Sequence, residues 1–404
     1  MSVNDLAVSK DGHYVVAVNG TGVYYFASES PDIRWWYLAS ATDYFVSVAI
    51  SANGRYVVAS NKSADLLYFG NSDTRTGLQT SATWTGMTSS IQTNRDALDI
   101  SDDGEYVAAW TNCFDGHLYY YNASTTKTGA RPWTWINVNI GLIAGPTYLD
   151  LSADGGYIAI GGDDNSTGFV HFYKDANISP FPTTSLWESW SLLEHPIWDV
   201  KVSDDGFSVA AVSRGFGTLY YWANATTLYC DPAPTWKDMT PYNTVDIDST
   251  GDRVVTGKPP IAPCGIHFWS GARSLTGVDP PTSWIRHEGE AIADVAISDD
   301  GRVIAAARCV AEPPVAYFYY VDGTYIGEYV LQAYSDLVSI SGDGNIVAIG
   351  GSPPTEDSLY LFRIHLPVGG EILPTQAMTW MAQIAVATAV LASAVVIGLR
   401  RLRR

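Results

Sequence analysis

The sequence predicts an all-β fold, a β-propeller of about eight four-stranded blades, followed by one C-terminal transmembrane α-helix. Three observations carry that expectation. A short strand–turn–strand pattern occurs eight times, an aromatic stretch follows each copy, and one charge-free apolar run lies near the C-terminus.

The pattern is an alternating apolar stretch, then Ser-x-Asp/Asn-Gly or a near variant, then a second apolar stretch. Its copies begin at Leu6, Val48, Leu98, Leu149, Val200, Val245, Val295 and Val338. The turn glycines are Gly12, Gly54, Gly104, Gly155, Gly206, Gly251, Gly301 and Gly344, so successive copies are 42 to 51 residues apart. That period fits one four-stranded blade and is too long for most helical solenoids. The Asp-Gly pair suits a hairpin turn, because glycine accepts positive φ and the carboxylate accepts nearby backbone N–H groups.

The third strand of each unit is aromatic, at 24–26, 67–69, 119–121, 169–173, 220–222, 267–269, 317–320 and 359–362. A tryptophan then marks the fourth strand in six units, at Trp36, Trp84, Trp135, Trp187, Trp236 and Trp284. Four short strands with turn signals between them make a blade, and the aromatic strands supply wide apolar faces for blade-on-blade stacking.

These units resemble the WD40-like and PQQ-like propeller repeats of prokaryotic, archaeal-type cell-surface proteins, over residues 5–366. The resemblance implies the ring fold and leaves the activity open, since propellers serve as enzymes, scaffolds and binding modules alike. The Gly-His and Trp-Asp pairs of eukaryotic WD40 units are missing as a set, and Trp198-Asp199 occurs once, in the wrong strand. The Thr-Gly-Lys-x-x-Trp repeat of quinone-dependent dehydrogenases is also missing, so no bound quinone and no other cofactor is expected.

The propeller is expected over residues 1–366, a linker over 367–376, the membrane helix over 377–399 and a basic tail over 400–404. The run at 377–399 is long enough to span a bilayer. Arg400, Arg401, Arg403 and Arg404 follow it. Basic residues stay on the cytoplasmic side, which places the propeller outside the cell membrane, with Trp380 at the outer interface. Two gaps accompany this topology. Residues 1–5 lead straight into the first repeat with no signal segment, and unit 8 has only 366–373 for its outer strand. Both are expected to have one cause, a natural chain that begins upstream with a signal peptide and a strand completing blade 8. The competing topology is a tail-anchored scaffold facing the cytosol.

The net charge of −19 excludes nucleic acid as a partner, because phosphate binding requires a basic face. Four cysteines, Cys113, Cys230, Cys264 and Cys309, fit no metal-ligand spacing, and no metal site is expected. Cys264 and Cys309 fall in equivalent loops of neighbouring units and form a candidate disulfide. Six Asn-x-Ser/Thr sequons are candidate glycosylation sites, Asn19, Asn61, Asn122, Asn165, Asn177 and Asn224, against the roughly two or three that chance supplies. Gly161-Gly162-Asp163-Asp164-Asn165 could offer oxygen ligands, and a hairpin loop explains it equally well.

The middle of the innermost strand carries Ala7, Ala49, Asp99, Asp150, Lys201, Asp246, Ala296 and Ser339 in successive units. Asp99, Asp150, Lys201 and Asp246 therefore face the axis. They read chiefly as a salt-bridge belt between blades, and alternatively as an ion or ligand site in the channel. No catalytic constellation is present: there is no nucleophile elbow, HExxH, P-loop or dinucleotide fingerprint, and the seven histidines are scattered. The expected function is a membrane-anchored surface module that binds a protein or glycan. The alternative is a surface enzyme, glycan-acting or quinoprotein-like, working at the axis.

Overall fold

The structure, a computed structural model, describes residues 3–364 and 378–382, apart from 31, 39–43, 63–64, 88–96, 112–116, 123, 132–133, 139–147, 164–166, 183, 190–194, 214–216, 259–264, 288, 309–312, 333 and 352–357. Eight antiparallel sheets follow one another along the chain, each with its strands in sequence order from the axis outward. Their inner strands are Val3–Val8, Phe45–Ile50, Leu98–Ile100, Tyr148–Leu151, Ile197–Val202, Thr244–Ile247, Ile292–Ile297 and Leu337–Ile340. This is the eight-bladed propeller that the repeat predicts.

Each Ser-x-Asp-Gly copy closes the turn between the first two strands. In blade 1 the Ser9 hydroxyl donates to Asp11 (2.7 Å) and accepts from the Tyr14 N–H (3.0 Å), while Asp11 accepts from the His13 N–H (3.0 Å). Gly54, in the equivalent turn of blade 2, is required twice over. Its φ is +71°, and an added Cβ would lie 2.2 Å from the Tyr14 ring of the preceding blade. The turns are also pinned across the junctions by tyrosine hydroxyls of the third strands. Tyr25 donates to Gly54 O (2.8 Å), Tyr68 to Gly104 O (2.9 Å) and Tyr120 to Gly155 O (2.7 Å).

The apolar core lies between blades, with no single centre. One cluster joins Val16, Tyr25 and Trp35 of blade 1 to Phe45, Val57 and Phe69 of blade 2. Another joins Leu6, Val15 and Phe26 of blade 1 to Leu337, Ala348 and Leu361 of blade 8, which closes the ring. The outer-strand tryptophans complete these interfaces. The indole N–H of Trp84 donates to Ser124 O, that of Trp187 to Ala225 O, that of Trp236 to Ala272 O and that of Trp284 to Val321 O, each in the next unit. In blade 1 the residue in this position is Trp35 and not Trp36. A bulge between the Tyr25 and Phe26 pairings shifts the register, so Trp35 stands opposite Tyr25 and its N–H donates to Ser72 O (2.9 Å).

Three units also reach back to the preceding blade. Gly77–Gln79, Gly129–Arg131 and Gly277–Val278 add a parallel fifth strand to blades 1, 2 and 5. Blade 8 closes differently from expectation. Its outer strand is Met378–Ala382, from the start of the apolar run, rather than residues 366–373 or an upstream segment. Among the described residues no helix is long and apolar enough to cross a membrane, and residues 383–399 lie outside them.

Candidate functional site

The inner strands converge on an axial channel with three tiers of polar side chains. The middle tier contains the four residues named from the sequence. Asp99 accepts the N–H of Ile100 (2.8 Å) and, across the junction, that of Leu151 (2.9 Å). Asp150 accepts Val202 N–H (2.7 Å), and Asp246 accepts those of Ile247 (2.9 Å) and Ile297 (2.8 Å). Lys201 lies 3.8 Å from Asp150. The belt thus holds an ion pair between blades, Lys201 with Asp150, and a set of backbone hydrogen bonds that the salt-bridge reading did not include. Its aspartates hold backbone N–H groups of the next blade, because a carboxylate taking two N–H bonds is better compensated at a buried edge than by one distant ammonium.

The tier at the mouth, the end of the channel away from Lys10, does the same work two residues earlier on the same strand face. Asp5 accepts the N–H groups of Leu6 and Val48, Asp199 that of Val245, and Asp294 those of Val295 and Val338. Sequence reasoning missed these three. The signal was present, since units 1, 5 and 7 lack an aspartate at the aligned position but carry one two residues before it. A β-bulge just ahead of each of them turns its side chain toward the junction. Ser339 completes the set by accepting Val8 N–H at the ring closure (3.0 Å).

The third tier seals the other end. Lys10 Nζ lies 3.0 Å from Asp102, 2.9 Å from Asp204 and 3.4 Å from Asp299, so blade 1 is tied to blades 3, 5 and 7 by one ammonium. Burial works to lower the Lys10 pKa, but the three carboxylates together hold it above its ordinary value. The main chain forms a ring around this plug. Ala52 N–H donates to Asp102 O, Asp102 N–H to Ala153 O, Ser249 N–H to Asp299 O and Gly342 N–H to Lys10 O.

Between mouth and plug lies a cavity of about 360 Å³, walled by Asp5, Asp199, Lys201, Asp246, Asp294 and Asp336 and reaching down to Asp299. Its chemistry favours positive charge. Acid–base work is disfavoured, since backbone N–H groups already occupy both oxygens of Asp246. Among the described residues no group of three or more His, Cys, Asp or Glu side chains is placed to hold a metal ion.

Burial pushes the carboxyls of Asp99 and Asp246 up to about 7, aided by the Asp150 charge and opposed by Lys201 and backbone N–H donors. A carboxyl raised in the folded state holds its proton more tightly there, so its contribution to stability is lost as pH rises through 7. Below about pH 7.5 the buried histidines His171 and His267, held neutral by burial, act in the opposite direction and offset about half of this loss. The folded ring is therefore expected to lose about 0.8 kcal/mol between pH 6.5 and 8. Urea midpoints measured at both pH values check this. The D99N/D246N double variant should flatten the loss, and an unchanged slope would refute the assignment.

The remaining sequence candidates are placed as follows. Asn19 and Asn61 are buried at strand ends, where their side chains accept the N–H groups of Thr21 and Asp65. Asn122 accepts from Thr134, Asn177 donates to Asp154 O, and Asn224 is exposed at φ 56°. Turn geometry accounts for much of this asparagine usage, because asparagine caps turns and tolerates the left-handed region. Asn165, Cys113, Cys264 and Cys309 lie outside the described residues, and with them the candidate disulfide. Cys230 is exposed and unbridged. Gly161 and Gly162 belong to the strand Tyr157–Asp163, where Ile197 packs against Gly161 too closely for a Cβ.

Comparison with known proteins places this geometry among propellers. No family profile and no curated protein matches the chain by sequence. Among solved structures, BamB from Moraxella catarrhalis superposes with a TM-score of 0.60 at 15% identity, covering 90% of this chain and 95% of its own. Chaetomium thermophilum Sqt1 bound to the N-terminus of ribosomal protein L10 gives 0.62 at 12% identity, covering 87% and 94%. The C-terminal WD40 domain of Sif2 gives 0.59 at 12%, covering 90% and 96%. The chain has the WD40/BamB-like propeller fold.

Proposed function

We propose that this chain is a membrane-anchored extracellular binding module whose acidic axial mouth receives a basic segment of a protein partner. The observation that carries this reading is the asymmetry of the channel: the charged residues that line a cavity of about 360 Å³ at one end are aspartates apart from Lys201, while the Lys10 plug occupies the other. A low-dielectric cleft lined by one sign of charge concentrates groups of the opposite sign. The structural neighbours support a protein partner in kind, since one of them is described as bound to the N-terminus of another protein. The uncharged run at 383–399, beyond the last strand, and the arginines after it support the anchor and the external placement.

The test is titration of the full chain with a lysine-rich peptide and with a glutamate-rich peptide of equal length. The basic peptide should bind, should weaken as salt rises, and should bind several-fold more tightly to K201Q, which removes an ammonium from the cavity wall. Equal binding of both peptides, or of neither, defeats the reading. Protease treatment of intact cells checks the topology separately, with cleavage of the propeller before lysis as the expected result.

A further inference from the structure

We infer that the membrane anchor begins at Gln383, directly after the last propeller strand, and that it holds the open mouth of the channel toward the bilayer. This rests on the anchored reading above and adds to it the side from which a partner must approach.

Three observations lead there. The first is register. Trp380 pairs with Leu361 as Trp236 pairs with Tyr221 and Trp284 with Phe268. Trp380 thus stands at the repeat position that tryptophan holds in six other blades, a match of residue type that is independent of the pairing itself. Its place is in the outer strand of blade 8.

The second is length. With 378–382 committed to the sheet, the uncharged residues left before Arg400 are 383–399, seventeen in number. At a rise of 1.5 Å per residue a helix of that length covers about 25 Å, the lower limit for spanning a bilayer. An anchor that needs all seventeen leaves no linker between itself and the propeller.

The third is direction. The inner strand of blade 8, Leu337–Ile340, runs from the mouth to the Asp343-Gly344 turn at the plug end. The antiparallel order then returns Ile346–Gly351 to the mouth, takes Ser358–Arg363 back to the plug end, and brings Met378–Ala382 to the mouth. Ala382 therefore ends on the mouth side, and an anchor that starts at the next residue keeps that side near the lipid. The partner that fits this arrangement is itself membrane-bound and offers its basic segment close to the bilayer surface.

The experiment places a fluorophore on Y334C or on R302C, in a full-length chain whose four native cysteines are serine, reconstituted in vesicles carrying headgroup-quencher lipid. Tyr334 is exposed on the mouth side between blades 7 and 8, and Arg302 is exposed at the plug-side turn of blade 7. Quenching should reduce the Y334C signal and leave that of R302C intact. Insertion of a flexible segment of about 20 residues after Ala382 should abolish the difference. Equal or reversed quenching in a chain that floats with the vesicles overturns this inference alone. A chain that does not float overturns the anchored reading, and the inference with it.

Discussion

Trp35→Ala should destabilise the ring by about 4 kcal/mol, whereas Trp36→Ala, at a residue half-buried against the blade 1–blade 8 cluster, should cost about 2 kcal/mol or less. Trp35 is fully buried, stacks on Tyr25 at 5.1 Å, meets the tilted ring of Phe69 at 5.1 Å, and donates its indole N–H to Ser72 O across the blade 1–blade 2 junction. Alanine there opens a cavity in the inter-blade core and leaves the Ser72 carbonyl with only its longer bond from the Arg75 N–H (3.3 Å), two costs that add. Trp35→Phe keeps a ring in the stack and isolates the lost hydrogen bond, worth about 1 kcal/mol. Trp36 is half-buried on the other strand face. Urea midpoints of the three variants decide the matter, and equal losses for Trp35 and Trp36 would refute the bulged register.

Lys10→Met should lower stability by about 2–3 kcal/mol, less than a fully buried pair would lose, because the Lys10 side chain remains 31% exposed and water screens what is left. The variant leaves Asp102, Asp204 and Asp299 facing one another without a cation, and like charges at that range repel. Two features separate this from an ordinary packing loss. Acidification toward pH 4 should recover much of the deficit, since protonation removes the repulsion. Lys10→Met combined with D102N and D299N should recover it at neutral pH. A deficit that is insensitive to both would mean that the plug is held by its backbone ring alone.

Local patterns determined a great deal about this protein. Strand alternation, the Ser-x-Asp-Gly turn and the aromatic third strand are i-to-i+5 relations, so eight blades, their turn chemistry and their stacking faces were legible before any fold was seen. The aspartates of the middle tier were legible as well, because they align with the repeat. Their role was not. A carboxylate's partners here include an N–H of the next blade, about 50 residues on, where composition suggested lysine alone.

Tertiary structure decided everything that depends on ring closure or on a broken register. Trp35 displaced Trp36 through a single bulge. Met378–Ala382 took the last place in blade 8, although hydropathy alone assigns those residues to the lipid. The plug is the clearest case. Lys10 stands 92 and 194 residues from Asp102 and Asp204, at a turn position whose residue type varies from unit to unit. Only eight inner strands converging on one axis bring alternate blades within reach of a single ammonium, and that convergence is a property of the closed ring rather than of any one repeat.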